Sequence, residues 1–268
     1  MSGVAGFLLA AINVGHFDFW RFVAFLTGMS LVIGCGCVLN NYIDRGIDSK
    51  MTRTRQRALV TGHLKGWQAI TYGVVLGALG FIILMLDTNT ATVLLGAIGL
   101  FFYLVMYGFW KRHSPIGTVV GSVSGAVPIT AGYTAVGGQI DAGAVILFLI
   151  MVCWQMPHFY AIATYRLDEY RSAGIPVLPA KRGKRTTVLQ SAVYIAAFIL
   201  ACTALTLLNY NGVVFLLVMV CIGLLWLRKA LAGLVATDYD AWGRQLFGWS
   251  LLVLLVLCAV LPLGALLP

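Results

Sequence analysis

Asn40, Asp44 and Asp48 stand four residues apart at the end of a long apolar stretch, and Lys50, Arg53 and Arg57 follow within ten residues. On a helix, steps of four residues climb about 6 Å and drift about 40° around the axis, so the three oxygen-bearing side chains form one stripe. Hard oxygens on a shared face suit Mg²⁺, which keeps several waters and bridges one or two carboxylates to substrate phosphates. The cations that follow can hold the phosphate oxygens such a metal leaves free, Arg through its planar fork and Lys as a point charge. Only nine acidic residues occur among 268. A carboxylate where an apolar segment meets water is costly unless paired, and it marks a functional site. A solvated helix end, with Asp and Arg neutralising each other, would use some of the same residues. The amide, the spacing and the cationic run favour a metal–diphosphate site.

The elements that must position this stripe are membrane helices. Hydrophobic residues make up 60% of the chain and charged residues 10%, against roughly 25% charged in soluble domains. About 20 apolar residues cross a bilayer. On that rule spans are expected at 18–43, 66–86, 90–110, 116–136, 141–165, 187–208, 211–230 and 245–266. The apolar piece 2–13 is a shorter first helix, which brings the count to about nine. No linker or low-complexity segment interrupts them, so a single domain over 1–268 is expected.

The net charge of +9 is concentrated at 45–65, 111–112, 166–185 and 228–244, in every second connection. The alternate connections carry acids or no charge. By the positive-inside rule the basic loops and the N-terminus face the cytoplasm, or the matrix of a mitochondrion. This asymmetry explains the basicity without nucleic acid, and no nucleic-acid module is visible. Residues 1–13 lack the basic start of a cleavable signal peptide. All six cysteines fall in apolar segments and read as core filler. Gly117, Gly121 and Gly125 recur every four residues, a spacing that lets a neighbouring backbone approach, and Pro128 is expected to kink the same helix. The charged connections 44–65 and 166–186 each begin with acid before a cationic run. Asp44 and Asp168 thus occupy similar places four helices apart, a hint of internal duplication.

Several spaced segments, in order, carry a resemblance. They are Asn40-Asn41-Tyr42-Ile43-Asp44-Arg45, Met51-x-Arg53-Thr54-x-x-Arg57, Lys111-Arg112-His113-Ser114, Trp154-Gln155-Met156-Pro157-His158-Phe159 and Ala173-Gly174-Ile175-Pro176-Val177-Leu178-Pro179. Over nearly its whole length the chain resembles the UbiA-type intramembrane prenyltransferases, and within them the branch that farnesylates protohaem IX. The resemblance implies an all-α bundle of about nine transmembrane helices around a central cavity open to the cytoplasmic side, in the bacterial inner membrane or the mitochondrial inner membrane. It implies Mg²⁺ as cofactor, with Asn40, Asp44 and Asp48 as the metal motif. Lys50, Arg53 and Arg57 would be diphosphate partners, and Lys111 and Arg112, at an inner helix end, could meet diphosphate or haem propionates. The implied substrates are farnesyl diphosphate and haem B, and the implied product is haem O. Handover would be to haem A synthase or haem–copper oxidase assembly.

Departures from the family pattern matter as much. The wider family carries a second acid-rich motif after its sixth helix, whereas here that region offers only Asp168 and Glu169. Asp168 is kept beside Asn40, Asp44 and Asp48 as a catalytic candidate, and a second fully carboxylate-bound Mg²⁺ is not expected. The family's first helix also runs longer than 1–13. His158, His113 and Tyr160 are the candidates for haem contact. A core histidine satisfied by a neighbour is the plain alternative for His158, and an interfacial anchor for His113. Tyr42, Tyr103, Tyr107, Trp154 and Tyr160 could face a passing carbocation or simply pack. Two other functions remain open: prenylation of a quinone precursor or chlorophyll-type acceptor, and non-enzymatic haem transport. Transport predicts ionisable residues along a path through the bundle, but they gather at one end.

Overall fold

The computed structural model describes residues 1–267, and among these the secondary structure is all helical. A short apolar helix α1 (Ser2–Val14) precedes α2 (Phe19–Asp48), α3 (Gly66–Asp87) and α4 (Thr90–Phe101). The π-helix Phe102–Tyr107 joins α4 to α5 (Gly108–His113), so that Thr90–His113 forms one continuous rod. Then come α6 (Gly117–Gly137), α7 (Ala142–Tyr165), the short α8 (Leu167–Ser172), α9 (Leu178–Leu207), α10 (Val213–Leu231) and α11 (Tyr239–Ala265). Eight of these rods are long and apolar enough to cross a membrane, and Ser2–Val14 is a shorter apolar helix beside them. The chain is a multi-pass membrane protein.

Helix starts follow side-chain caps. Asp18 accepts from Arg21 N at 3.0 Å, Asn89 from Thr92 N at 3.0 Å, Asp141 from Ala144 N at 2.9 Å and Asp238 from Ala241 N at 2.9 Å. Such caps satisfy amides that have no partner within the helix. Four of the scarce acids and amides thus do structural work at helix ends, none of them in the stripe. Asn89 also donates to Thr134 O and Ala135 O, which ties the start of α4 to the end of α6.

Helices overrun the apolar spans on the basic side. α2 continues to Asp48 rather than ending at 43, so Asn40, Asp44 and Asp48 share one helix. α9 begins at Leu178 rather than 187, with Pro179 in its first turn and a break at Gly183, whose φ of 75° is left-handed. α11 begins at Tyr239 rather than 245, where Asp238 caps it. In α2 and α11 the backbone keeps its own hydrogen bonds past the apolar span, so hydrophobicity fades before the helix does, whereas the overrun of α9 is a separate turn joined at the Gly183 break.

The main core lies where α7 meets α9, α11 and α6. α2 packs along α3, with little contact to α4 or α6. That sparse seam leaves room between α2, α4 and α6.

Candidate active site: a polar cavity with an apolar branch

A cavity of about 450 Å³ opens among the basic-side ends of α2, the π-helix, α5, α6 and α7. Asn40, Asp44 and Asp48 line it, 9%, 9% and 5% exposed, as the four-residue spacing predicts. Arg53, Arg57 and Lys111 line it too.

Each carboxylate has a cation. Lys111 Nζ donates to Asp44 Oδ2 and, at 3.1 Å, to Asn40 Oδ1. Arg112 reaches Asp44 Oδ1 at 3.3 Å from the rim and donates to Ile43 O at 3.0 Å. Arg57 donates to Asp48 Oδ2 at 2.7 Å and to Asn41 Oδ1 at 2.8 Å. The turn after α2 that delivers Arg57 is itself fastened, since buried Thr54 donates to Asp48 O at 3.0 Å. Lys111 and Asp44 are both nearly enclosed. Breaking a buried pair by removing one partner costs about 3–5 kcal/mol.

The π-helix sets the line of the opposite wall. Tyr103 and Tyr107 both face the cavity, their rings parallel within 6° and 6.1 Å apart. Lys111 Nζ sits 4.8 Å from the Tyr107 ring centre. A purely α-helical rod would drift these three side chains around its axis. The wider π turn offsets that drift, and such turns recur at functional sites.

The glycine stripe on α6 gives these groups their space. A Cβ on Gly117 would meet the Lys111 backbone at 2.7 Å, and one on Gly121 the Tyr107 ring at 2.8 Å. At Gly125 it would land on the Gln155 amide, which donates to Ser122 O and Met151 O at 3.0 Å each. The stripe is a packing device, and what it admits is the cavity wall.

From Tyr103, Ser124 and Gly125 a second space of about 200 Å³ continues away from the charges. Its other walls are apolar or glycine, among them Met29, Val32, Gly96, Leu100 and Val127. Asn40 to Met29 is eleven residues of α2, about 16 Å of depth at 1.5 Å each.

Other sequence candidates lie elsewhere. Asp168 is 99% exposed on α8 and faces Arg171 at 3.6 Å. The next turn of that region instead sends Tyr170 into the cavity. Burial raises the Tyr170 phenol above its ordinary range. Lys50 is exposed on the turn after α2, outside the cavity wall. His158 stacks on Trp154 and shares a 2.8 Å hydrogen bond with Ser250 Oγ of α11. His113 lies against Phe109, with Nδ1 2.7 Å from that residue's carbonyl oxygen. Tyr160 donates to Gln190 Oε1 at 3.0 Å. None of these three histidine and tyrosine candidates lines the cavity. Of the aromatic candidates, Tyr103 and Tyr107 line it, whereas Tyr42, Trp154 and Tyr160 do not. Phe159, Gln155 and Tyr170 are cavity residues that the sequence reading had not singled out as site residues. For Gln155 a signal existed: it is the one amide in the α7 sequence, where a polar group needs a reason.

The donor set suits Mg²⁺ shared with a substrate. Among the described residues no group of three or more His, Cys, Asp or Glu could hold a metal alone. Two carboxylates and an amide on one stripe, with open volume beside them, match a cation that takes its remaining oxygens from phosphate and water.

Comparisons with known proteins agree with this architecture. The model of the UbiA prenyltransferase family matches residues 1–265. A protein of Protochlamydia amoebophila named protoheme IX farnesyltransferase is 42% identical over 259 residues, covering 97% of this chain and 91% of its own. Protoheme IX farnesyltransferase 2 of Pseudomonas aeruginosa is 46% identical over 259 residues, covering 96% and 87%. Among solved structures, digeranylgeranylglyceryl phosphate synthase superposes with a TM-score of 0.82 at 18% identity, covering 98% and 91%. A UbiA homologue from Archaeoglobus fulgidus bound to DMAPP and Mg²⁺ gives 0.71 at 12% identity, covering 95% and 96%. With a family model spanning almost every residue and close relatives matched nearly end to end, the chain belongs to the UbiA prenyltransferase family.

Proposed function

We propose that this chain transfers the farnesyl group of farnesyl diphosphate to a vinyl group of haem B. The farnesyl C1–oxygen bond breaks, C1 bonds to the terminal vinyl carbon, and water adds its hydroxyl to the inner carbon. Haem O, diphosphate and a proton result. The observation that carries the reading is the juxtaposition of a buried Asn40–Asp44–Asp48 stripe, ringed by Lys111, Arg57 and Arg53, with an apolar branch leading away from it. The names of the 42–46% identical relatives support haem as acceptor.

In this mechanism Asn40, Asp44 and Asp48 would hold Mg²⁺, which when bound would offset the charge of the diphosphate. Arg53, Arg57 and Lys111 take diphosphate oxygens, with Arg112 at the rim, so charge building on the leaving group meets preset donors. Tyr103 and Tyr107 turn aromatic faces toward the allylic carbon, where a cation is stabilised as its bond to oxygen lengthens. The apolar branch takes the farnesyl tail and keeps water from it. The relative from Archaeoglobus fulgidus, bound to DMAPP and Mg²⁺, supports the metal. His158, His113, Tyr160, Asp168 and Lys50 have no step here, because each lies off the cavity wall. The basic-side ends of the helices, and with them the cavity mouth, would face the cytoplasm by the positive-inside rule. Haem O would then pass to haem A synthase or to haem–copper oxidase assembly.

Membranes containing the protein, supplied with haem B, farnesyl diphosphate and Mg²⁺, are expected to accumulate haem O by chromatography and mass spectrometry. Asp44→Asn is expected to lower the rate at least about 100-fold, in line with losing a preset electrostatic partner. Folded parent protein that forms no haem O would overturn the acceptor assignment.

A further inference from the structure

The two carboxylates of the stripe are not free to receive a metal. Lys111 holds Asp44 and Asn40 together, Arg112 takes the other oxygen of Asp44, and Arg57 takes Asp48. With Arg53 on the cavity wall, four cations face two carboxylates, so these groups leave an excess of two positive charges. A bare divalent cation would meet that excess at close range, where the enclosed surroundings of Lys111 and Asp44 screen poorly. It would also have to displace an ammonium already bonded to two of its three donors. A diphosphate removes both obstacles at once. Its negative charge outweighs the excess, and its oxygens offer Lys111, Arg57 and Arg53 new partners. Tyr107 keeps the Lys111 ammonium near its place during the exchange, since its ring already lies beneath it.

We propose that the Lys111 ammonium is a resident placeholder at Asn40 and Asp44, so that a divalent metal enters only together with a diphosphate. The proposal rests on the metal–diphosphate reading of this site, but not on the identity of the acceptor. Its consequence is an order of events. Metal does not load the empty enzyme, and the carboxylates stay neutralised until a prenyl diphosphate arrives.

Equilibrium dialysis of the detergent-purified protein against Mn²⁺, with and without inorganic diphosphate, tests this directly through protein-bound metal. The parent is expected to retain Mn²⁺ at least about tenfold more tightly when diphosphate is present. Lys111→Met is expected to bind Mn²⁺ without diphosphate at least about tenfold more tightly than the parent, and Lys111→Arg to exclude it as the parent does. Equal retention by the parent with and without diphosphate would overturn the placeholder while leaving the metal site standing. No retention in either condition would overturn the metal–diphosphate reading and the placeholder with it. A folded Lys111→Met that still excludes Mn²⁺ would remove the role from Lys111. Should that variant fail to fold, Lys111→Gln, which keeps a polar end but removes the charge, is judged by the same measurement.

Discussion

Gly96→Leu should shorten the prenyl chain this enzyme prefers. Gly96 lines the apolar branch near Met29, far from the charged stripe. A Cβ added there meets nothing closer than the Phe81 ring at 3.5 Å, with Leu84 and Met29 at 3.8 Å, so the first carbon of a side chain enters in ordinary contact with side chains alone. The four carbons of a leucine side chain occupy about the room of one five-carbon isoprene unit. Burying five carbons contributes about 4 kcal/mol at roughly 0.8 kcal/mol each. If the last unit of farnesyl loses that burial, its kcat/KM falls by up to about 1000-fold. Geranyl diphosphate, one unit shorter, keeps its contacts. The farnesyl-to-geranyl preference is therefore expected to drop by about 100- to 1000-fold. The assay is competition between the two diphosphates for haem B, with the haem products separated by mass. An active Gly96→Leu enzyme with an unchanged preference would show that the tail does not use this branch.

Three further outcomes follow from the same geometry. Gly125→Ala should destabilise by about 1–3 kcal/mol, because its Cβ falls on the Gln155 amide in a packed wall. Thermal unfolding in detergent should show much of that loss recovered in Gly125→Ala/Gln155→Ala, since neighbouring changes do not add. Tyr103→Phe should keep most of the turnover rate and Tyr103→Leu should lose about 5- to 30-fold, which is 1–2 kcal/mol of cation–π stabilisation. Equal rates for the two would deny the ring a role. The Tyr170 phenol, raised by burial from its ordinary 10.0, favours the folded state fully below about pH 10 and less as pH climbs toward its folded value. Tyr170→Phe should accordingly flatten the alkaline limb of a stability–pH curve beyond pH 10.

The stripe was legible because cost and geometry coincide in it: few carboxylates, at a membrane edge, at a helical repeat. Lys111 and Arg112 were legible as a cationic run ending an apolar rod. Which way α7 turns was not. It is apolar on all sides, so no stripe in its sequence says which face is buried, and the structure gives Gln155, Phe159 and Ile162 to the cavity while His158 faces α11. Asp168 was misleading for a related reason. In a six-residue helix the choice between Asp168 and Tyr170 is made by what lies underneath, and the cavity takes the ring while water takes the acid. The apolar branch left no local mark either, since its walls come from three helices, of which α2 barely touches the other two.

The π-helix between Phe102 and Tyr107 means that one rod runs in two phases. Its outer half, Thr90–Phe101, is keyed to α6, with Gly99 against Val127. Its inner half is held by two neighbours, with Gly117 and Gly121 of α6 against Lys111 and Tyr107 and with Lys111 on Asp44 of α2. A register change of one residue turns an α-helix by about 100°, enough to swing Lys111 off Asp44 while leaving the outer half seated. The wide turn thus works as a coupling between two gears. A sequence change in the turn would re-aim Lys111, and with it the α6 contacts of Tyr107, without unseating Thr90–Phe101.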